Sequence, residues 1–309
     1  MKQSSHFDQS AQVSAVAADS GSCRPKRKVR TAVVASLLAV ASWSAGAAPA
    51  LLGLYTFEGA GGNFANVVDA SGNGKNPTYF ANGVGVTTGN GGYQGEAATF
   101  TPQGSGFAAY SAPNGGFKVG IDISPSAAGL TIGGWLYLTP NATQQGLHTF
   151  FSHDNGGYDR GVWYQAGSDW QIMGGFPHST GATFTTDAWR FVAVTYGGVN
   201  GTDARIYIDG TLAGVTGTSA TSGEPDLRFG AYDNDSSTEP WAGKMDNLFV
   251  FDGALDATQI RTINANGLAG IQEIAGISSG NQSTVPEPGT IMLMAAGVLG
   301  LGFGKRKKG

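Results

Sequence analysis

The chain has 309 residues, of which 50 are glycine, 13% are charged and 10% are aromatic. This composition excludes a disordered chain, because 41% hydrophobic residues are enough to bury a core, and it favours one all-β extracellular domain with many turns. Between residues 51 and 287, 8 lysines and arginines stand against 20 aspartates and glutamates, a net charge of −12. Such acidity argues against nucleic acid as a partner and is compatible with divalent cations and neutral glycans, although solubility alone also explains it.

The N-terminus has the organisation of an export signal. A polar segment ends at the only cysteine, Cys23, and is followed by a basic cluster at 24–30, an apolar run at 31–43 and small residues at 44–50. This order is typical of a secretory signal peptide, and the apolar run is too short for a stable membrane span. We therefore predict an N-terminal extension and signal peptide over residues 1–50, with a buried core helix as the alternative. Its removal would leave a mature chain without cysteine.

The region after the signal is dominated by strand patterns. Short runs rich in β-branched and aromatic residues, separated by Gly, Asn, Asp and Pro, predict strands at 51–57, 130–138, 189–196 and 204–208. The dipeptide Asp209-Gly210 follows the last of these runs and predicts a hairpin with a type I′ turn, which needs positive φ at both positions. Many short strands with little helix indicate a β-sandwich or jelly roll.

One helix is predicted near the end of the domain. Asp256 and Gln259 have the spacing of a capping box, and Ile260 and Ile263 would line one face of the helix. Gly, Ser, Asn and Gln then become frequent, and we predict a flexible spacer over residues 271–284.

The C-terminus consists of three parts: Pro286-Glu287-Pro288, an apolar stretch at 289–304 and a basic end. The prolines separate the apolar stretch from what precedes it. As a helix, that stretch would span roughly 24 Å, which is marginal for a bilayer core of about 30 Å. The basic end would stay in the cytoplasm.

This tripartite ending, residues 285–309, resembles the PEP-CTERM sorting signal of Gram-negative bacteria. The resemblance implies transient insertion of the apolar helix in the inner membrane, removal of the tail by an exosortase-type sorting enzyme, and delivery to the cell surface or extracellular matrix. It also implies a host that makes exopolysaccharide. The alternative is an ordinary tail anchor, and in both cases the folded domain faces away from the cytoplasm.

Several motifs also follow one another in a recognisable order: LYTFE at 54–58, DASGNG at 69–74, LTIGGW at 130–135, YIDG at 207–210 and WAGKMDNLFVF at 241–251. Together they resemble the LamG-like, concanavalin A-like lectin/glucanase jelly rolls. The resemblance implies an all-β LamG-like jelly-roll sandwich over residues 51–270.

The resemblance further implies a structural calcium site. In LamG-like domains the first and last strands lie close together, and an acidic residue at the Asp246 position commonly joins that site. Asp69 and Asn73 lie in a glycine-punctuated loop and Glu58 precedes it, so oxygen ligands of the kind that calcium prefers are available. We expect these four residues to bind calcium. The alternative is that the loop at 69–74 is a tight turn held by Asx hydrogen bonds.

Two further polar segments are candidates for metal or sugar binding. The run from His153 to Asp159 offers metal- or sugar-binding groups, but Asn155-Gly156 within it is a hairpin dipeptide, so a simple turn is the alternative. Asp233-Asn234-Asp235 resembles half of a calcium loop, but it lacks the glycine and the distal glutamate of an EF-hand, and we interpret it as a polar loop.

Signs of catalysis are weak. Glycosidases of this fold use two carboxylates about 5–10 Å apart, usually on one strand. Glu224-Pro225-Asp226 is the nearest match, but its proline belongs to a turn and no glutamate completes the pattern. A serine nucleophile elbow and the zinc-binding HExxH spacing are both missing from the sequence. We therefore do not expect an enzyme.

Aromatic rings could instead bind sugars by stacking. The candidates are Tyr158, Trp163, Tyr164, Trp170, Phe176 and Trp241. Because sandwich cores also use aromatic residues, we expect most of them to be buried and assign carbohydrate binding to Tyr158 and Trp170, which stand among loop residues. The sequence thus predicts a non-catalytic surface or matrix protein that binds carbohydrate or exopolysaccharide. The alternatives are a structural or adhesive matrix protein without a small ligand, and a glycoside hydrolase with unfamiliar catalytic residues.

Overall fold

The structure is a computed structural model, which describes residues 48–79, 85–101, 115–124, 129–140, 146–155, 158–197, 203–217, 223–232 and 239–277. Nearly all of the predicted signal peptide, the segment 233–235 and the sorting tail with Pro286, Glu287 and Pro288 lie outside the described residues. Among the helices in the described ranges, none combines the length and the apolar character that a membrane crossing requires.

The described residues form fifteen strands. The first eight are β1 (Ala50–Tyr55), β2 (Thr78–Tyr79), β3 (Val86–Asn90), β4 (Glu96–Phe100), β5 (Phe117–Val119), β6 (Leu130–Leu138), β7 (Leu147–Ser152) and β8 (Gly161–Gln165). The other seven are β9 (Trp170–Met173), β10 (Pro177–Ser179), β11 (Trp189–Gly197), β12 (Asp203–Ile208), β13 (Thr211–Thr216), β14 (Leu227–Phe229) and β15 (Gly243–Asp252).

The strands pair into two antiparallel sheets. The eight-stranded sheet has the order β13-β12-β11-β6-β15-β4-β3, and β1 pairs with β15 beside this path. The seven-stranded sheet has the order β10-β9-β8-β7-β14-β5-β2. Strands distant in the chain are therefore neighbours in both sheets, as in a jelly roll. The predicted all-β sandwich is confirmed.

The main core lies between the two sheets, and β6 shows how it is built. Its inward-facing side chains are 0–4% exposed: Leu130, Ile132, Leu136 and Leu138. Trp135 belongs to a separate cluster on the opposite face, because successive side chains of a strand alternate between faces. Burying one large apolar side chain contributes about 1.5–3 kcal/mol, so the core supplies most of the stability.

Two C-terminal helices cover the outer face of the eight-stranded sheet. Helix α1 (Ala257–Asn266) begins with the predicted capping box, in which Asp256 accepts from the backbone N–H of Gln259 at 2.9 Å. Helix α2 (Leu268–Ile274) was not predicted, and its Ile271 is buried against the sheet together with Ile260 and Ile263. The predicted boundary after residue 270 is therefore wrong, because it falls within a packed helix.

The predicted hairpin between β12 and β13 is confirmed. Asp209 has a φ of 49° and Gly210 a φ of 75°, the two positive values that the turn requires. The hairpin ends the eight-stranded sheet and leaves β13 as an edge strand.

Candidate functional site

Two of the predicted calcium ligands, Glu58 and Asp246, lie against the loop between β3 and β4. The backbone N–H of Glu96 donates to Glu58 Oε1 at 3.0 Å, and that of Gln94 donates to Asp246 Oδ2 at 2.9 Å. Asp246 Oδ1 accepts from the backbone N–H of Asn247 at 2.7 Å. Burial raises the pKa of Asp246 to about 7, and the nearby charge of Glu58 adds to the rise while the backbone N–H groups oppose it. Asp246 therefore holds the loop to β15, and Glu58 holds the start of β4 to the segment after β1.

The other two predicted ligands, Asp69 and Asn73, organise a different loop. Asp69 Oδ1 accepts from the backbone N–H groups of Leu54 at 3.0 Å and Ser71 at 2.9 Å, and Oδ2 accepts from the backbone N–H of Lys75 at 3.0 Å. Burial acts to raise the pKa of Asp69, but these hydrogen bonds outweigh it and lower the pKa. The side-chain amide of Asn73 donates to a β1 carbonyl oxygen at 2.7 Å. The bond to Ser71 is the Asx turn that the sequence offered as the alternative.

The four predicted calcium ligands thus lie in two groups, and three of them already accept backbone N–H groups. Within the described ranges, no group of three His, Cys, Asp or Glu side chains is arranged to hold a metal ion. A calcium ion needs six to eight converging oxygens, including amide and backbone carbonyl oxygens. Calcium binding stays a prediction of the sequence.

Trp170 is completely buried, so its assignment to carbohydrate binding is wrong. Its ring packs in the main core against Phe184, at a centroid distance of 5.5 Å, and against Trp241, at 6.3 Å. The polar turn before β9 suggested exposure, but the register of the strand directs Trp170 and Ile172 inward. Other aromatic candidates are also buried: Trp163, Tyr164 and Trp241.

Tyr158 is exposed, as predicted, and Phe176 is exposed beside it. Their side chains are 47% and 58% exposed, in the β7–β8 and β9–β10 connections. The backbone N–H of Gly175 donates to the carbonyl oxygen of Tyr158 at 2.8 Å, so the two connections are held together. The sequence signal for Phe176 was its position between Gly175 and Pro177, two residues that favour turns. The structure therefore places two exposed rings on adjacent loops.

A smaller aromatic cluster lies on the outer face of the same sheet. Trp163 and Tyr232 are buried and meet edge to face at a centroid distance of 4.7 Å. The hydroxyl of Tyr232 is buried and has no hydrogen-bond partner within the described part of the chain. Burial raises the pKa of this hydroxyl, and the charges of Asp154 and Glu239 raise it further. Carboxylates therefore stand close to the aromatic groups.

The loop that carries Tyr158 is braced by its own side chains. The backbone N–H of Asp159 donates to Asp154 Oδ1 at 2.8 Å, and that of Asn155 donates to Asp159 Oδ2 at 3.2 Å. Ser152 Oγ accepts from the N–H of Asp154 at 3.0 Å. These bonds form the turn that the sequence offered as the alternative to a metal site. They hold Tyr158, whose φ is 55°, in a fixed position.

Two carboxylates deserve comparison with a glycosidase acid. The pKa of Asp246 lies near that of a general acid, but its side chain is completely buried and cannot reach a polysaccharide. Asp226 forms an ion pair with Lys118 at 3.1 Å. The burial of Asp246 therefore excludes it as a general acid for a polysaccharide.

Comparison with known families agrees with this geometry. Residues 112–261 match the concanavalin A-like lectin/glucanases superfamily. Residues 284–308 match the PEP-CTERM protein-sorting motif. No curated protein sequence matches the chain.

Several solved structures share the fold. Domain 4 of AbnA, a GH43 extracellular arabinanase from Geobacillus stearothermophilus solved in complex with arabinotriose, is 18% identical with a TM-score of 0.50, over 69% of this chain and 97% of that domain. The binding domain of Paraclostridial Mosquitocidal Protein 1 is 14% identical with a TM-score of 0.52, over 70% of this chain and 52% of that one. Botulinum neurotoxin type C, whose cell entry depends on two ganglioside molecules, is 11% identical with a TM-score of 0.50. The match covers 70% of this chain and 51% of that one. This chain spans about half the length of the two toxin chains, and the likenesses show the fold alone.

The two-sheet sandwich agrees with the match over residues 112–261, so the described part of the chain has the concanavalin A-like lectin/glucanase fold. The match of residues 284–308 to the PEP-CTERM sorting motif indicates export, sorting through the membrane and processing by an exosortase-type enzyme.

Proposed function

We propose that the domain is a non-catalytic module that binds a neutral polysaccharide through Tyr158 and Phe176. The observation that carries this proposal is the pair of exposed rings on two loops joined by the Gly175–Tyr158 hydrogen bond. Exposed aromatic residues that are rigidly held and flanked by polar groups are typical of ligand sites. Phe176 takes the place that the sequence assigned to Trp170.

The chemistry of the surroundings favours a neutral glycan. The C–H faces of a sugar pack on aromatic rings. Asp154 and Asp159 lie in the same loop as Tyr158, but both side chains are buried and brace the loop, so the exposed rings supply the contact with the glycan. The net charge of −12 between residues 51 and 287 would repel an acidic polysaccharide.

Two of the similar structures support the proposal by analogy. The arabinanase domain was solved with arabinotriose, and the neurotoxin depends on gangliosides. The match to the sorting motif supports export. As part of this proposal, we place the protein at the cell surface or in the extracellular matrix of a Gram-negative bacterium, whose exopolysaccharide is the first ligand to test.

The test is affinity electrophoresis of the exported protein in gels containing the host exopolysaccharide, combined with a glycan array. Tyr158→Ala and Phe176→Ala each weaken binding by about tenfold, since each loses one stacking contact. The matched control is Val68→Ala, because Val68 is 59% exposed and its loss leaves binding unchanged. Unaltered binding in both aromatic variants overturns the site. Release of reducing sugar from the polysaccharide overturns the non-catalytic assignment.

A structural matrix protein is the second candidate, and the edge strand β13 favours it. Its sequence Thr211–Thr216 contains no charged residue, and Leu212 and Val215 are 48% and 56% exposed. Edge strands without charges invite pairing with another chain. Sedimentation equilibrium distinguishes the candidates: Leu212→Lys dissociates an edge-paired assembly, whereas Val68→Lys does not. A monomeric unaltered protein contradicts this second candidate.

A further inference from the structure

Arg160 is a buried cation whose guanidinium is only partly hydrogen-bonded. It precedes β8, is 1% exposed and lies with its guanidinium carbon 4.7 Å from the centroid of the Tyr196 ring. Nη1 donates to the carbonyl oxygen of Ile123 at 2.8 Å. Nε and Nη2 are buried and have no hydrogen-bond partner in the described part of the chain.

The two unpartnered nitrogens define one edge of the guanidinium. The Nε and Nη2 N–H groups of an arginine point in parallel and form the fork that binds a carboxylate through two hydrogen bonds. The ion pairs between described residues use Lys118 and Arg190, and neither involves Arg160. The charge of Arg160 is met by one carbonyl oxygen and the Tyr196 ring but by no ion pair among the described residues, so an anion at this edge would stabilise it.

The imidazole of His153 is a second buried polar group whose nitrogens lack hydrogen-bond partners among the described residues. The backbone N–H of His153 donates to the carbonyl oxygen of Arg160 at 3.1 Å, so the two residues face each other at the base of the β7–β8 loop. The imidazole is fully buried, and neither ring nitrogen has a hydrogen-bond partner in the described ranges. Burial lowers the pKa of the imidazole to about 4. The positive charge of Arg160 also lowers it, whereas the charges of Asp159 and Asp122 act to raise it. The ring is therefore neutral and offers one N–H donor.

We propose that Arg160 and His153 form a buried site for one small monovalent anion, either chloride or a short carboxylate such as formate. The guanidinium fork supplies two N–H donors and the imidazole supplies a third. The positive charge of Arg160 favours an anion, the carboxylates of Asp122 and Asp159 near His153 restrict it to one of low charge, and burial of both side chains excludes a polysaccharide. The site ties together the two ends of the loop that carries Tyr158.

The test is the melting temperature of the exported protein at constant ionic strength, with chloride or formate replacing gluconate, an anion too large to enter. We expect chloride, formate or both to raise the Tm by about 5 °C when the concentration of the anion increases from zero to roughly 500 mM. An anion that binds the folded state stabilises it by mass action. The two arms show which anion binds. An identical Tm in all three salts means that water fills the site, and this overturns the proposal.

Substitutions locate the effect. Arg160→Met removes the anion dependence, and in gluconate its Tm equals or exceeds that of the unaltered protein, since no unpaired charge is buried. Arg261→Met is the matched control, because Arg261 is exposed on α1 and its loss leaves the anion dependence intact. An anion dependence that persists in Arg160→Met overturns the assignment. If that variant does not fold, His153→Leu replaces it and shifts the midpoint of the anion titration several-fold to higher concentration; an unshifted midpoint also overturns the assignment.

Discussion

The backbone N–H of Gly175 donates a hydrogen bond of 2.8 Å to the carbonyl oxygen of Tyr158 and thereby joins two loops that are distant in the chain. Gly175 has a φ of 82°, in the left-handed region that favours glycine. The pairing of Gly161 with Met173 already brings these loops to the same end of β8 and β9, and the Gly175 bond joins them directly. The positions of the exposed rings of Tyr158 and Phe176 therefore depend in part on one glycine.

Gly175→Ala tests this dependence. A side chain at positive φ costs about 1 kcal/mol, so we expect a small loss in the free energy of unfolding and a several-fold loss of polysaccharide affinity as the loops separate. Denaturant unfolding and affinity electrophoresis measure the two effects. Gly167→Ala is the matched control: its φ is 73°, and a Cβ there would meet nothing within 4 Å. We expect the control to lose similar stability and to keep its affinity; an equal loss of affinity in both variants contradicts the role of the loop pairing.

Local patterns predicted local structure well. The positive φ values of Asp209 and Gly210 follow from the dipeptide itself, and the capping box of Asp256 follows from a spacing of three residues. The order of motifs resembling a LamG-like domain also predicted the sandwich. The turn and the capping box are each determined by residues that are close in sequence. The sandwich was predicted from the order of motifs along the whole domain.

The site was harder to predict because it depends on packing between distant segments. Trp170 and Phe176 are both flanked by turn residues, yet strand register sends the first into the core and leaves the second exposed. Helix α2 was missed because the predicted spacer begins at residue 271, within the helix, whereas Ile271 packs on the sheet. No local pattern shows which side of a strand faces the core when both faces carry aromatic residues.

Calcium binding at Glu58, Asp69, Asn73 and Asp246 is open to a direct test. Because the described carboxylates accept backbone N–H groups, we expect any binding to be weak, in the range of about 10⁻⁴–10⁻³ M typical of extracellular modules. Calorimetric titration of the calcium-stripped protein measures it, and Asp69→Asn should abolish the heat. Asp252→Asn, at an exposed position, should retain it. Absence of heat at millimolar calcium would reject the site.

Removal of the sorting tail can be tested in the cell. Substituting Glu287→Ala within Pro286-Glu287-Pro288 should block removal of the tail, because the processing enzyme recognises this match over residues 284–308. Intact-mass measurement of the membrane fraction should then find the longer chain, with less protein in the matrix. Ser283→Ala lies just outside the match and serves as the control. Normal processing of Glu287→Ala would show that the motif is not read at this residue.

Asp169 should make the fold sensitive to acid. Burial acts to raise its pKa, but hydrogen bonds from Ser179, Gly181 and Ser168 outweigh it and lower the pKa below its ordinary value. One of these bonds, from the backbone N–H of Gly181 to Oδ2, measures 2.7 Å. A carboxyl group whose pKa is lower in the folded state stabilises the fold above its unfolded pKa of about 3.9, and this stabilisation is lost as the pH falls below about 4.

Asp169→Asn tests this prediction through urea unfolding between about pH 7 and pH 2. At neutral pH the variant should be less stable by about 1–2 kcal/mol, since the amide accepts fewer hydrogen bonds than the carboxylate. The difference should shrink below about pH 4, because the unaltered carboxyl group then becomes protonated and loses its advantage. Asp252→Asn, at the exposed end of β15, should follow the unaltered protein throughout. A difference between Asp169→Asn and the unaltered protein that stays constant down to pH 2 would show that Asp169 acts through its shape and not through its charge.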